Sequence, residues 1–378
     1  MKPTVLIYRS ELLPPSETFV AAQAHALRRY SPRFAGLRRV PAGLPVDPCE
    51  SMLLTPADAL ADKLRRRLFL ASGIAPHFVR ALERFRPVLM HAHFALDGAA
   101  ALPLQRQLRV PLVVTLHGYD ATTTDAALRQ TAAGRVLLRR RRELRERVRF
   151  FICVSEHIHQ QALERGVPES KIRTLTIGVD LHLFAPDPLQ SRSRDPIVLF
   201  VGRLVEKKGC EYLIRAMARL ESRHPEAKLL IVGDGPLLDP LRAQARDALR
   251  NCTFLGSQPP NVVRDLMHRA SLIAAPSIVA SNGDTEGLPI TLCEAQAIGL
   301  PIVAFQGPGV SEAVVENETA LLVRSRDEAG LAEAISTLLQ DSELAARLAV
   351  AGRRRAEALF SLERQTARLE DLYTEALG

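Results

Sequence analysis

With 378 residues, 47% hydrophobic and 24% charged, the chain is too long for one comfortable core and too ordinary in composition for a disordered or fibrous protein, so two domains are expected. Its five cysteines, Cys49, Cys153, Cys210, Cys252 and Cys293, are odd in number and scattered, which excludes a disulfide framework and a paired-cysteine metal site and suits a reducing compartment. The net charge of +8 is uneven: residues 1–185 carry +12 and residues 186–378 carry −4, so the first half is expected to face something anionic, such as phospholipid head groups, a lipid-linked phosphate or nucleic acid.

In chain order, β-rich runs are predicted at residues 4–8, 88–91, 112–116, 150–154, 197–201, 228–232, 253–255, 272–275 and 302–304, with amphipathic helical stretches between them. The first such helix spans residues 17–29, with Ser16 as its N-cap and two arginines at its end. Strands alternating with helices predict an α/β protein of doubly wound parallel sheets. Pro186, Pro188, Ser191, Ser193 and Pro196 interrupt both periodicities and mark the break, giving domains at 1–185 and 186–359 with a cleft between them. Residues 360–378 form a last helix that periodicity alone assigns to neither domain. The longest apolar runs fall short of the roughly 18 residues of a membrane span, and residues 1–10 lack a signal peptide's apolar core, so a cytoplasmic location is expected.

The segment that points most clearly to chemistry is Gly283-Asp-Thr-Glu-Gly-Leu-Pro-Ile-Thr-Leu-Cys-Glu-Ala-Gln-Ala-Ile-Gly299. Pro289 suits a helix start and Gly299 its end, which places Glu286 before the helix and Glu294 more than a turn inside it. Free amides around Gly287, Leu288 and Ile290 would form a positive pole able to receive a phosphate. Beside that pole, Glu294 can accept hydrogen bonds from vicinal ribose hydroxyls. At the end of the strand at 197–201, Arg203 and Lys208 occupy a turn where open α/β sheets bind ligands, and their charges can neutralise a pyrophosphate leaving group. In the first half, Thr115-Leu-His-Gly-Tyr-Asp120 closes a buried strand, with His117 and Asp120 pointing toward the cleft. His91 and His93 share a strand face, but no Cys, Asp or Glu with ligand spacing accompanies them, so no metal is expected.

These motifs resemble the retaining glycosyltransferases of family 4, with the GT-B fold of two Rossmann-like domains, over nearly the whole chain. Glu286 and Glu294 match that family's two-glutamate motif and Arg203 with Lys208 its phosphate-binding pair. Thr115 to Asp120, Gly178-Val-Asp-Leu-His-Leu-Phe184 and Gly307-Pro-Gly-Val-Ser-Glu312 are similar to its other landmarks. Ser16-Glu-Thr-Phe19 and Asp284-Thr-Glu-Gly287 look most like bacterial exopolysaccharide enzymes of the colanic-acid and amylovoran type. The resemblance implies transfer from a UDP- or GDP-type sugar donor with retention at the anomeric carbon, no essential metal or other cofactor, and a lipid-linked or polysaccharide-precursor acceptor. It also implies that Glu286 contacts the donor sugar, Glu294 the ribose, and His117 the sugar or its phosphate, and that the last helix crosses back to the first domain. One departure is the first loop, residues 9–18, which has no glycine; Glu17 and Thr18 there, and Asp120, are expected to meet acceptor or sugar hydroxyls, although Glu17 also suits a helix's first turn.

The arginines Arg135, Arg139, Arg140, Arg141, Arg142, Arg145, Arg147 and Arg149, and a second cluster from Lys63 to Arg67, are expected to give a peripheral contact with an anionic membrane on the inner face. A nucleic-acid-binding protein is the rival reading of this charge; with no Trp and 5% aromatics, the chain lacks stacking platforms and no nucleic-acid partner is expected. A GT-B nucleotide-sugar epimerase or a phosphorylase keeps the fold and changes the chemistry.

Overall fold

The computed structural model describes residues 2–41, 43–57, 59–187 and 196–378. They form two compact units, Met1–Gly178 with Leu362–Gly378, and Val179–Ser361. Of the residues expected to mark the break, Pro188, Ser191 and Ser193 lie outside the described residues.

The strands of the first unit are β1 (Thr4–Tyr8), β2 (Glu11–Leu12), β3 (Ser31–Gly36), β4 (Arg38–Arg39), β5 (Ser51–Leu53), β6 (Pro87–His93), β7 (Leu112–Leu116), β8 (Phe150–Cys153) and β9 (Ile172–Thr174). Seven of them build one parallel sheet in the order β5-β3-β1-β6-β7-β8-β9, while β2 and β4 pair apart. The second unit contains β10 (Ile197–Val201), β11 (Lys228–Val232), β12 (Cys252–Gly256), β13 (Leu272–Ala275), β14 (Ile302–Phe305) and β15 (Leu321–Val323), all parallel in the order β12-β11-β10-β13-β14-β15. Both sheets thus step outward from their first strand and then reverse, the doubly wound order. In each, the reversal leaves a crevice at the carboxyl ends of two strands: β1 and β6 in the first unit, β10 and β13 in the second.

Valine, isoleucine and leucine dominate the central strands because helices cover both faces. Val5, Ile7, Leu89, Val113 and Ile152 are buried in the first core, and Val198, Phe200, Leu229, Ile231, Leu272 and Val303 in the second. Each such side chain contributes about 1.5–3 kcal/mol by leaving water.

The final helix, Leu362–Leu377, belongs to the first unit. Its Leu369 and Tyr373 join that core, Tyr373 donating or accepting a 2.7 Å hydrogen bond with His91 Nδ1. The buried Glu370 carboxylate receives the amides of Arg28, Arg29 and Tyr30.

One local expectation changes. The first helix is Thr18–His25, with Glu17 rather than Ser16 at its N-cap position. In the arginine-rich helix, Ala132–Arg147, Arg135, Arg139, Arg142 and Arg147 are exposed, while others are engaged within the unit. Arg140 is buried and donates to the carbonyls of Ala99 and Leu70, Arg139 donates to Leu70, Arg141 pairs with Asp125, Arg145 donates to Arg165 and Gly166, and Arg142 and Arg147 pair with Glu146 and Glu143. These bonds hold elements of the unit together, and those to carbonyls leave the guanidinium charge in place.

Candidate functional site

In the second unit, the strand-end crevice gathers the residues that the sequence singled out. After β10 the chain turns through Gly202 and Arg203 to a short turn of 3-10 helix, Glu206–Lys208; after β13 it runs through Pro276 and Ser277 to Glu286 and then the helix Ile290–Ile298. Gly209, at φ +61°, joins the two segments: a β-carbon there would lie 1.9 Å from the Pro276 carbonyl oxygen, so only glycine permits the approach.

Glu286 is buried, and its Oε1 accepts from Lys208 Nζ at 2.6 Å and from Ser277 Oγ at 2.8 Å. Burial opposes its charge, but the Lys208 and Lys207 ammonium groups and the two hydrogen bonds outweigh burial and lower its pKa to about 2. Oε2 has no partner among the described residues and is the atom available to a ligand hydroxyl. A parallel pair lies alongside: Lys207 Nζ meets Asp284 Oδ1 at 2.9 Å. Burial raises the Asp284 carboxyl despite that neighbour. The carboxylate of Glu206 takes the amide and hydroxyl of Ser281, completing the attachment of the loop at 277–286 to the turn after β10.

Glu294 is the fifth residue of its helix, which begins after Pro289 and ends at Gly299 with φ +74°. Partly buried, it makes no hydrogen bond or ion pair with another described residue, and burial pushes its carboxyl up to about 8. The amides of Gly287, Leu288 and Ile290 donate to no other described residue, as befits a helix start that offers donors to an anion. Arg203 is exposed and makes no side-chain hydrogen bond or ion pair among the described residues. The crevice therefore combines free amides, an unoccupied guanidinium, a paired lysine and an unpartnered carboxylate. Such a set can take a diphosphate at one end and a diol at the other.

Ser277 escaped sequence reasoning, and Gly309 was singled out there only as part of the turn Gly307-Pro-Gly-Val-Ser-Glu312. Ser277 orients Glu286, and its only signal was its place just beyond a buried strand. Gly309, at φ +71°, backs the loop: a β-carbon there would lie 2.5 Å from the Glu286 carbonyl oxygen and 2.6 Å from that of Gly287. Gly309→Ala is therefore expected to displace this backbone and lower kcat/KM about tenfold while the protein stays folded, which steady-state kinetics beside a thermal melt will check.

In the first unit the equivalent crevice is filled by the protein's own charges. Arg9, immediately after β1, forms a bidentate pair with Glu17, with Nε to Oε2 at 2.6 Å, pairs with Asp97, and donates to the His93 carbonyl at 3.1 Å; all three side chains are buried. Glu17, expected to meet acceptor or sugar hydroxyls, here holds Arg9 with both its oxygens. Asp120, of which the same was expected, is engaged by backbone amides. Its Oδ1 accepts from the amides of His117 and Gly118 and its Oδ2 from that of Ala95, so this buried carboxylate fixes the loop after β7. Thr18, at the start of its helix, is partly exposed.

His117 is different. Its Nε2 shares a 3.0 Å hydrogen bond with His93 Nδ1, while its Nδ1 is buried without a partner in a recess that Phe19, Gln23 and Thr176 also line. Burial holds both imidazoles far below their usual pKa, with Arg9 adding repulsion, so both stay neutral. A neutral ring with one unpaired nitrogen suits a hydroxyl. His91 is structural, both its nitrogens being taken by Tyr373 and Thr115, and no group of metal-binding residues occurs among the described residues.

The chain matches two family models in tandem: Glycosyltransferase Family 4 over residues 22–183 and Glycosyl transferases group 1 over residues 184–355. Among curated relatives, a GDP-mannose-dependent alpha-(1-6)-phosphatidylinositol monomannoside mannosyltransferase of Mycolicibacterium smegmatis is 29% identical over 377 residues, covering 94% of this chain and 92% of the relative. A glycogen synthase of Mycobacterium tuberculosis is 30% identical over 300 residues, covering 77% and 70%. WcaL of Escherichia coli, named for colanic acid biosynthesis, is 27% identical over 263 residues, covering 68% and 62%. Among solved structures, HepE of Anabaena, in complex with UDP and glucose, superposes with TM-score 0.76 at 19% identity over 98% of this chain and 99% of that one. Sucrose-phosphate synthase of Thermosynechococcus elongatus gives TM-score 0.76 at 24% identity over 99% of both chains.

Proposed function

The chain belongs to the family 4 glycosyltransferases of the GT-B fold, and from that premise we propose that it transfers a sugar, with retention at the anomeric carbon, from a UDP- or GDP-type donor to a lipid-linked or polysaccharide-precursor acceptor in surface-glycan synthesis. The observation that carries the reading is the pairing in one crevice of an unpartnered Glu294 with the free amides of Gly287, Leu288 and Ile290, a diol acceptor beside a diphosphate cradle. The names of the mannosyltransferase and of WcaL support a lipid-linked or exopolysaccharide acceptor.

In this reading Arg203 and Lys208 take the place of a metal ion. As the bond between the anomeric carbon and the β-phosphate oxygen breaks, its electron pair stays on that oxygen, and the two cations stabilise the charge. The acceptor hydroxyl forms the new bond to the anomeric carbon on the same face, and its proton passes to the departing phosphate. Glu286 orients a donor-sugar hydroxyl through Oε2, fixed in place by Ser277 and Lys208. In the first unit, His117 Nδ1 is the polar atom offered to a sugar or phosphate oxygen.

The test is NMR of the product made from an α-linked nucleotide-sugar in the presence of EDTA. Retention with undiminished rate is expected; an inverted product, or a rate abolished by EDTA and restored by magnesium, contradicts the reading.

A further inference from the structure

The helix Leu60–Ser72 presents the wrong side to solvent for a helix that merely covers a core. It buries only Asp62 and Phe69, with Arg66 and Leu70 half-buried. At 100° per residue, Leu60, Leu64, Leu68 and Ala71 fall within an arc of about 80° on another side. The three leucines are 84%, 57% and 56% exposed, and Ile74, just past the helix end, is 72% exposed. These are the four most exposed large apolar side chains among the described residues, three on this helix and the fourth two residues past its end.

Charge says what covers them. Lys63 and Arg67 flank the stripe on one side and Arg65 on the other, all exposed, whereas the only acid of the helix, Asp62, is 7% exposed and turned inward. Among the described residues the outward surface of the helix carries three cations, of which Arg65 reaches the inward Asp62 at 3.6 Å, and no exposed acid. A second copy of the same face would bring like charges together. An anionic leaflet suits both features, since leucines enter the acyl boundary while lysine and arginine heads stay among phosphates. The helix is also held firmly in this pose: Arg139 and Arg140 donate to the Leu70 carbonyl, Gln107 donates to that of Gly73, and a β-carbon on Gly73 would lie 2.6 Å from Pro103 Cβ.

We propose that the helix Leu60–Ser72 is a membrane-docking element, lying in the head-group plane of an anionic leaflet with Leu60, Leu64, Leu68 and Ile74 in the acyl boundary. The surface is independent of the donor chemistry, though it would bring the enzyme to a lipid-linked acceptor.

Co-sedimentation of the full chain with vesicles tests it, comparing phosphatidylcholine alone with phosphatidylcholine containing phosphatidylglycerol. Wild type is expected to bind only the anionic vesicles, more weakly as salt rises. Leu64→Glu with Leu68→Glu should reduce binding about tenfold or more, and Lys63→Ala with Arg67→Ala by about fivefold per cation with a shallower salt dependence. Thermal melts of both variants should match wild type, because the altered side chains are exposed. Failure of wild type to bind, indifference to vesicle charge, or equal binding by the double-glutamate variant would overturn the proposal. So would a concentration-dependent dimer that the double-glutamate variant dissolves in the absence of vesicle binding, which would assign the face to a second copy.

Discussion

Lys208→Ala is expected to lower kcat by about two to three orders of magnitude, with a much smaller effect on donor affinity, because the charge on the leaving phosphate is greatest in the transition state. The same substitution removes the partner of a buried carboxylate. Only Ser277 would then remain on Glu286 Oε1, and the uncompensated charge should cost about 2–3 kcal/mol of stability at neutral pH. The pH dependence separates this from a general packing defect. Glu286 has a folded pKa of about 2 against 4.5 for the free side chain, so its stabilising contribution is present above pH 4.5 and is lost as pH falls toward 2. Wild type and variant should therefore differ most above pH 4.5 and converge in acid, as read by denaturant melts across that range. Lys208→Arg should recover more stability than turnover, since it restores charge without the same geometry. An unchanged kcat in the alanine variant would remove Lys208 from the chemistry.

Glu294→Gln is the second substitution with a large expected effect, and its two consequences have opposite signs. In the ligand-free protein this carboxyl has no partner among the described residues, and burial raises its pKa to about 8. A carboxyl whose folded pKa lies above its unfolded value gives stability that is complete below about pH 4.5 and declines as pH rises through 8. The glutamine variant cannot ionise and should escape that decline, melting a few degrees above wild type at pH 8 and no higher at pH 4. Nucleotide affinity should move the other way, falling about 10- to 100-fold with loss of charge-assisted acceptance from the ribose hydroxyls. A gain in melting temperature joined to a loss in affinity is the mark of a residue kept for binding at the expense of stability. Calorimetry and thermal melts on the same preparation read both.

The central strands were legible because buried parallel strands are runs of valine, isoleucine and leucine, as at Thr4–Tyr8 and Ile197–Val201. Ser31–Gly36 was not: with Pro32, Arg33 and Gly36 it has no strand-like alternation, and its pairing with β1 and β5 supplies the order its composition lacks. Ser51–Leu53, Ile172–Thr174 and Leu321–Val323 are three residues each, too short to show a period. The first helix ends at His25 because the turn beyond it is bonded to Glu370, some 340 residues away in sequence.

The donor crevice was readable to the extent that its chemistry is local. Glu286, Glu294 and Lys208 sit in short segments whose glycines and prolines announce strand-to-helix turns, whereas the approach of Gly309 to Glu286 is a tertiary event. The partners of Glu17 and Asp120 were not legible for a related reason. A carboxylate near a strand end is open to ligand unless the fold supplies it with partners, and here Arg9 and three backbone amides do. Arg140 of the helix Ala132–Arg147 likewise finds carbonyl partners inside the unit that its spacing did not show.

The most direct test of the donor site is a calorimetric titration of wild type, Glu294→Gln and Arg203→Ala with UDP, GDP and ADP in the presence of EDTA. The account predicts that one nucleotide binds wild type without metal and that both variants bind it at least about tenfold more weakly. Absence of binding by any nucleotide, or equal binding by all three proteins, would contradict it.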